Sequence, residues 1–125
     1  MNNKTLQQHA SQINTQMRKG TLSFYVLHLL QQKPMYVADI IAKLSAAEMI
    51  VVEGTLYPLL TRLKNQSLLK YEWEESESGP PRKYYSLTND GKEILGLLDK
   101  QWADLNKTIN AIKKPAKQAK KGAKK

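Results

Sequence analysis

Apolar residues in the first part of the chain form one narrow stripe. Leu6, Ala10, Ile13 and Met17 lie four, three and four residues apart in an otherwise polar stretch over 4–19, the spacing of a single helical face. Gly20 interrupts this weakly. Thr21 to Leu30 is then apolar almost all round, as expected of a helix in the middle of a domain. Lys33-Pro34 ends it, because proline pushes the residue before it out of helical backbone. Val37, Ile40, Ile41 and Leu44 recur at helical spacing, with Asp39, Lys43 and Ser45 on the other face, so a second helix is expected over Val37–Ala46. The apolar connection Met49-Ile50-Val51-Val52 is expected to tuck under the domain. A third helix follows over Gly54–Gln66 with Leu56, Leu59, Leu60 and Leu63 inward, and Glu53 or Thr55 suits the positive end of its dipole. Pro58 conflicts with it. Either this helix starts later, or it tolerates one missing hydrogen bond near its first turn.

Beyond this point the pattern changes period. Leu68–Trp73 and Arg82–Leu87 are strand-like runs, separated by the polar, Gly- and Pro-bearing segment Glu74 to Pro81, which predicts a hairpin with a long loop. Thr88 caps a final helix with Asp90 in its first turn, and Pro115 stops it near Lys114. Leu95, Leu98, Trp102, Leu105, Ile109 and Ile112 run along this helix in alternating steps of three and four, a short heptad seam. A helix this long beyond a hairpin has little of its own domain to cover it, so a partner subunit is its expected neighbour. The order is helix, helix, helix, hairpin, long helix. That is a mainly α (α+β) class with a winged helix-turn-helix arrangement, a β-hairpin wing and a long C-terminal dimerisation helix. The expected divisions are 1–88 for the DNA-binding domain, 89–114 for the dimerisation helix and 115–125 for a disordered lysine-rich tail.

Composition adds three constraints. The chain has 125 residues, enough for one modest core, and no apolar run reaches the roughly 18 residues that span a bilayer. It has no cysteine, which excludes disulfides and thiol chemistry and suits a reducing cytoplasm, and its first residues lack a signal-peptide apolar region. The formal charge of +9 is unevenly spread: seven lysines and no acid fall between Lys113 and Lys125, which leaves the rest of the chain nearly balanced. Such a tail suits a phosphate binder, or simply keeps a protein soluble.

In a helix-turn-helix the second helix of the pair enters the major groove. With the leucines turned inward, the groove-facing set is Thr55, Tyr57, Pro58, Thr61, Arg62 and Lys64. Arg62 and Lys64 can neutralise phosphates or read guanine, while Thr55, Tyr57 and Thr61 can donate to phosphate or touch a thymine methyl. The alternative is a solvated face carrying two cations. Arg82 and Lys83 of the wing can reach a neighbouring minor groove or backbone. Against this, phosphates repel Glu72, Glu74, Glu75 and Glu77. These acids must point away from DNA, be neutralised by Arg82 and Lys83, or keep the wing off the duplex. Catalysis finds no support, since the two histidines, His9 and His28, lie in a polar stretch and inside the apolar helix. There is no phosphate-cradling glycine loop, nucleophile elbow, cofactor motif or metal cluster.

Two segments resemble a known family. Gly54-Thr55-Leu56-Tyr57-Pro58-Leu59-Leu60-Thr61-Arg62-Leu63 is similar to the third-helix signature of PadR-like transcriptional regulators. Ser76 through Thr88, followed by Gly91, is similar to their wing and its exit. The likeness covers roughly Met17 to Ile112, with two departures. Tyr36-Val37-Ala38 stands where many members have His-Gly-Tyr, which puts in doubt a DNA contact at that corner. Ser67 stands where a glycine commonly precedes the first strand, which suggests a slightly different turn. The resemblance implies a homodimeric repressor on an inverted-repeat operator in double-stranded DNA, cytoplasmic and nucleoid-associated, that lets go when a small aromatic or apolar effector binds. In some small members that pocket lies at the dimer interface, beside a tryptophan at the place of Trp102, with Met17, Phe24 and Tyr25 expected to face the same region. Each of these four is otherwise a plain core or interface residue. Two other readings stand beside this one: a winged-helix module that docks protein through its acidic wing, and a non-specific nucleoid-type DNA binder driven by the lysine tail.

Overall fold

Asn2 starts the first helix by accepting a hydrogen bond from the Thr5 N–H at 2.8 Å, the usual service of an N-cap side chain. In the computed structural model, which describes residues 1–115, this helix is α1 (Asn3–Lys19). It is followed by α2 (Leu22–Gln32), α3 (Val37–Ala46), α4 (Glu53–Asn65), β1 (Leu69–Ser76), β2 (Gly79–Leu87) and α5 (Asn89–Lys113). The three expected helices of the domain lie where their periodicity puts them, and the fold is a winged helix-turn-helix. The chain forms two compact units, one from Met1 to Leu95 and one from Gly96 onward.

In the first unit the core takes one stripe from each of α2, α3 and α4. Leu22, Val26, Leu27 and Leu30 come from α2, Val37, Ile40 and Leu44 from α3, and Leu56, Leu59, Leu60 and Leu63 from α4. Met35, Val51, Leu69, Tyr85, Leu87 and Leu95 complete it. Each such side chain removed from water is worth about 1.5–3 kcal/mol. The α1 stripe contributes none of this, because no residue of α1 is buried. Pro58 sits inside α4, so the helix does tolerate the missing bond. The carbonyl left without a donor is that of Gly54, an exposed residue that solvent reaches.

Two expectations are corrected. The connection Met49–Val52 is not tucked away: only Val51 is buried, while Ile50 is 82% exposed and Val52 65%. The cause is the end of α3. Glu48 adopts φ 65°, its N–H donates to the Ser45 carbonyl at 2.9 Å, and the Met49 N–H donates to the Leu44 carbonyl at 2.8 Å. This Schellman-type turn sends the chain outward, and alternate residues then face in and out. The hairpin loop is also not long. Both strands extend through the polar segment, leaving Glu77-Ser78 as the turn, with Ser76 opposite Gly79. Pro80 and Pro81 fall at a shift in register between Glu74 and Ser76, where the ladder needs no proline N–H.

The wing is anchored at both sides of its base. Met35 exchanges two backbone hydrogen bonds with Tyr85, at 3.0 and 2.8 Å, which ties β2 to the segment between α2 and α3. Burial pushes the Tyr85 phenol above its ordinary pKa of 10.0, and the neighbouring Tyr57 and Tyr71 add to this. On the other side, Ser67 takes φ 64° and closes α4 with the same turn geometry: its N–H donates to Lys64, and the Leu68 N–H to Leu63. The turn is therefore the one a glycine would make, carried out by serine. Thr88 stitches α5 to it. Its hydroxyl donates to the Ser67 carbonyl at 2.7 Å and accepts from the Gly91 N–H at 3.0 Å, and its N–H donates to the Leu68 carbonyl at 3.1 Å. Gly91 presses directly on that carbonyl, so a Cβ there would overlap the Leu68 oxygen.

The second unit consists, among the described residues, of the rest of α5 and the short stretch to Pro115. Leu97, Trp102, Leu105, Ile109 and Ile112 are all exposed there, and Leu98 is half-buried. Beyond Pro115 the lysine-rich stretch lies outside the described residues.

Two substitutions test the joint between α4, the wing and α5. Gly91→Ala forces backbone apart and is expected to destabilise the domain by about 1–3 kcal/mol. Ser67→Gly relieves a left-handed serine and is expected to stabilise it by roughly 0.5–1 kcal/mol, the strain being larger than the added freedom of the unfolded chain. Thermal melting followed by circular dichroism reads both, and opposite signs are required.

Candidate nucleic-acid interface

Four leucines on one side of α4 leave its other side facing water. Thr55, Tyr57, Pro58, Thr61, Arg62 and Lys64 are all exposed there, as the helical spacing required. Two further residues belong to this face. Gly54 and Asn65 fall in line with Pro58 and Thr61 at three- and four-residue steps and lie opposite the leucines. Of these two, which lie outside the set expected from sequence, Asn65 has the side chain able to donate and accept hydrogen bonds, and counting from the buried leucine stripe locates it. Tyr57, Thr61, Arg62 and Asn65 line one shallow depression on this surface.

The wing divides its charges between two faces. Cross-strand pairs place Leu69, Tyr71 and Trp73 with Leu87, Tyr85 and Lys83 on one face, and Glu72 and Glu74 with Tyr84 and Arg82 on the other. Among the paired residues this first face carries no carboxylate, and Glu75, which has no cross-strand partner at the register shift, is the acid that alternates onto the same side. On it the Lys83 ammonium lies 4.6 Å from the Tyr71 ring centroid and 5.2 Å from that of Trp73. Lys64 of α4 reaches the same Tyr71 ring at 5.7 Å, so one aromatic side chain holds a cation from the helix and one from the wing. On the second face Arg82 stacks over Tyr36 at 4.4 Å, and Glu74 is its cross-strand neighbour. Glu72 and Glu74 therefore point away from Lys83.

A cleft runs along β2 between the wing and the N-terminal ends of α3 and α4. Tyr36, Tyr57, Trp73, Arg82 and Lys83 line it, with Glu53 the one acid among the residues that do. Neither helix has a side-chain cap here, so the first N–H groups of each are open to an acceptor. Tyr36 stands at the corner where the sequence departs from the family pattern. It is fixed there by Arg82 and by the Tyr84 ring, 5.4 Å away.

The remaining candidates are dispersed. Met17 is exposed on α1, Phe24 sits edge-on to His28 with ring centroids 4.8 Å apart, and Tyr25 lines a groove with Arg18, His28 and Lys43. Trp102 belongs to the second unit, where it is 42% exposed. In the expected seam, Leu95 is 1% exposed and packed into its own domain, so the part of the seam open to another chain begins at Leu98.

Comparison with known proteins agrees with this architecture. Residues 26–102 match the transcriptional regulator PadR-like family. A crystal structure of a PadR-like transcription factor from Bacteroides fragilis is 57% identical, covers 81% of this chain and 98% of its own, and superposes with a TM-score of 0.70. A PadR family transcriptional regulator from Eggerthella lenta is 32% identical, covers 87% and 96%, and superposes at 0.82. A PadR-like transcriptional regulator from Bacillus cereus is 32% identical, covers 80% and 98%, and superposes at 0.71. With its winged fold, its polar α4 face and a family match spanning the domain from α2 past the wing, this chain belongs to the PadR-like family of DNA-binding transcriptional regulators.

Proposed function

We propose that the protein is a homodimeric, sequence-specific repressor that inserts α4 into the major groove of an inverted-repeat operator. The observation that carries this is the outward face of α4: hydroxyls, an amide and two cations around Thr61, backed by four buried leucines that prevent the helix from rolling. Arg62 is the base- or phosphate-reading cation, with Thr55, Tyr57, Pro58, Thr61 and Lys64 beside it. Lys83, on the wing face opposite Glu72 and Glu74, and Arg82, held on Tyr36, serve the adjoining backbone. The phosphate strand between the two readers fits the cleft beside β2, where open helix N-termini favour an anion. The placement of Glu72 and Glu74 on the face opposite Lys83 favours DNA over the reading in which an acidic wing docks protein.

Dimerisation falls to the exposed side of α5, through Leu98, Trp102, Leu105, Ile109 and Ile112. Family resemblance supports a small aromatic or apolar effector that loosens the repressor, with Trp102 at its site and Met17, Phe24 and Tyr25 as further candidates. It also supports a cytoplasmic, nucleoid-associated location. Release follows only if the effector prefers a separation of the two α4 helices that does not fit the operator.

Selection of preferred duplexes from genomic fragments tests the reading directly, with salt-sensitive and site-selective retention expected. Arg62→Ala should then weaken operator binding by about 1–3 kcal/mol with an unchanged melting temperature. Undiminished binding would remove Arg62 from the interface. Replacing Leu105 and Ile109 together by lysine should give a light-scattering mass of one subunit and abolish operator binding, since half-sites one helical turn apart need two linked domains.

A further inference from the structure

Ile50 and Val52 stand in water on the loop between α3 and α4, at 82% and 65% exposure. Single exposed aliphatic residues are ordinary, but this pair has an organised setting. Together with Lys19 at the end of α1 and Thr55 and Arg62 on α4, they line one shallow groove, and no acidic side chain is among the residues that do. The loop is also held. The Arg18 guanidinium donates to the Glu48 carbonyl at 2.7 Å, which clamps the left-handed turn that throws Ile50 outward. Arg18 is thus a positioning residue for the loop.

This loop is the turn of the helix-turn-helix, so whatever α4 enters, the turn meets the rim of it. In the major groove the one apolar feature on a base edge is the thymine C5-methyl group, and the rim itself is phosphate. A groove of two aliphatic side chains flanked by Lys19 and Arg62 matches that arrangement in shape and charge. A protein partner or a second copy would gain the same apolar contact but would leave those cations without a countercharge.

We propose that the α3–α4 turn is a second reading element, in which Ile50 and Val52 contact thymine methyls at the edge of each half-site while Lys19 neutralises the adjoining phosphate. This rests on α4 being the groove helix. It assigns sequence choice to the turn and only affinity to Lys19, because phosphate contacts carry no direct base information.

The test uses the full chain and its selected operator, with each thymine replaced in turn by deoxyuridine. At one or two positions per half-site the loss of the methyl should weaken binding about fourfold, the equivalent of one methyl returned to water. In the Ile50→Ala/Val52→Ala variant the same replacements should have no further effect. Lys19→Ala should lower the slope of log affinity against log salt by about one and leave the preferred sequence unchanged. Indifference of the unmodified protein to every deoxyuridine, or equal penalties in protein and variant, overturns the proposal. So does a changed light-scattering mass in the double variant, which would place the loop against a second copy. Selection of no preferred duplex by the unmodified protein would instead strike the α4 reading, and this one with it.

Discussion

The burial of Leu56, Leu59, Leu60 and Leu63 fixes which residues of this domain can meet a partner. A helix held by a single row of leucines can still rock about its axis. Here Leu59 and Leu60 are neighbours in sequence, so the stripe is broad enough to set the rotation of α4 as well as its depth. Once that rotation is set, the side facing water is decided residue by residue, with Thr61 near its centre, Arg62 toward the end of α1, and Lys64 toward the wing. The polar face of α4 needs no separate explanation. It is what remains after the core has taken its share.

Everything after α4 hangs from its C-terminal turn. Ser67 in left-handed backbone redirects the chain into β1, and the carbonyls of Ser67 and Leu68 receive the hydroxyl and N–H of Thr88 at the far end of the hairpin. The same Thr88 hydroxyl caps α5, and Gly91 lets that helix come within backbone contact of Leu68. Four residues thus define both where the wing leaves the domain and where α5 begins. A geometry with so few adjustable parts suits a domain that must present a helix and a hairpin at a set separation. The Met35–Tyr85 bridge, on the opposite edge of β2, limits the remaining freedom of the wing base.

Charge in the described part of the chain is organised more by pairing with aromatic rings than by amount. Lys64 and Lys83 converge on Tyr71, and Arg82 lies on Tyr36, so three long side chains that would otherwise sample many rotamers are held near the α4 face. Each such contact is worth about 0.5–1 kcal/mol at an exposed site. That is small for stability but useful for placement, because less side-chain entropy remains to be lost on binding.

Much of this was legible in sequence because it depends on local periodicity. The helices Val37–Ala46 and Glu53–Asn65, the buried leucines, the Thr88 cap and the exposed face of α4 all follow from spacing and capping rules that act over four or five residues. The family resemblance was likewise carried by contiguous motifs. Other features needed the tertiary structure. Composition alone makes Glu74 to Pro81 a loop, yet strand pairing across the hairpin extends through it and sorts Glu72 and Glu74 from Lys83 by face. Met49–Val52 reads as core by hydropathy, but the left-handed turn at Glu48, clamped by Arg18 from thirty residues away, puts Ile50 and Val52 in solvent. Leu95 fits a heptad seam, yet the close approach permitted by Gly91 draws it into the domain. In each case the deciding contact joins residues distant in the chain, so a local pattern could mark the element but not the side on which its residues would lie.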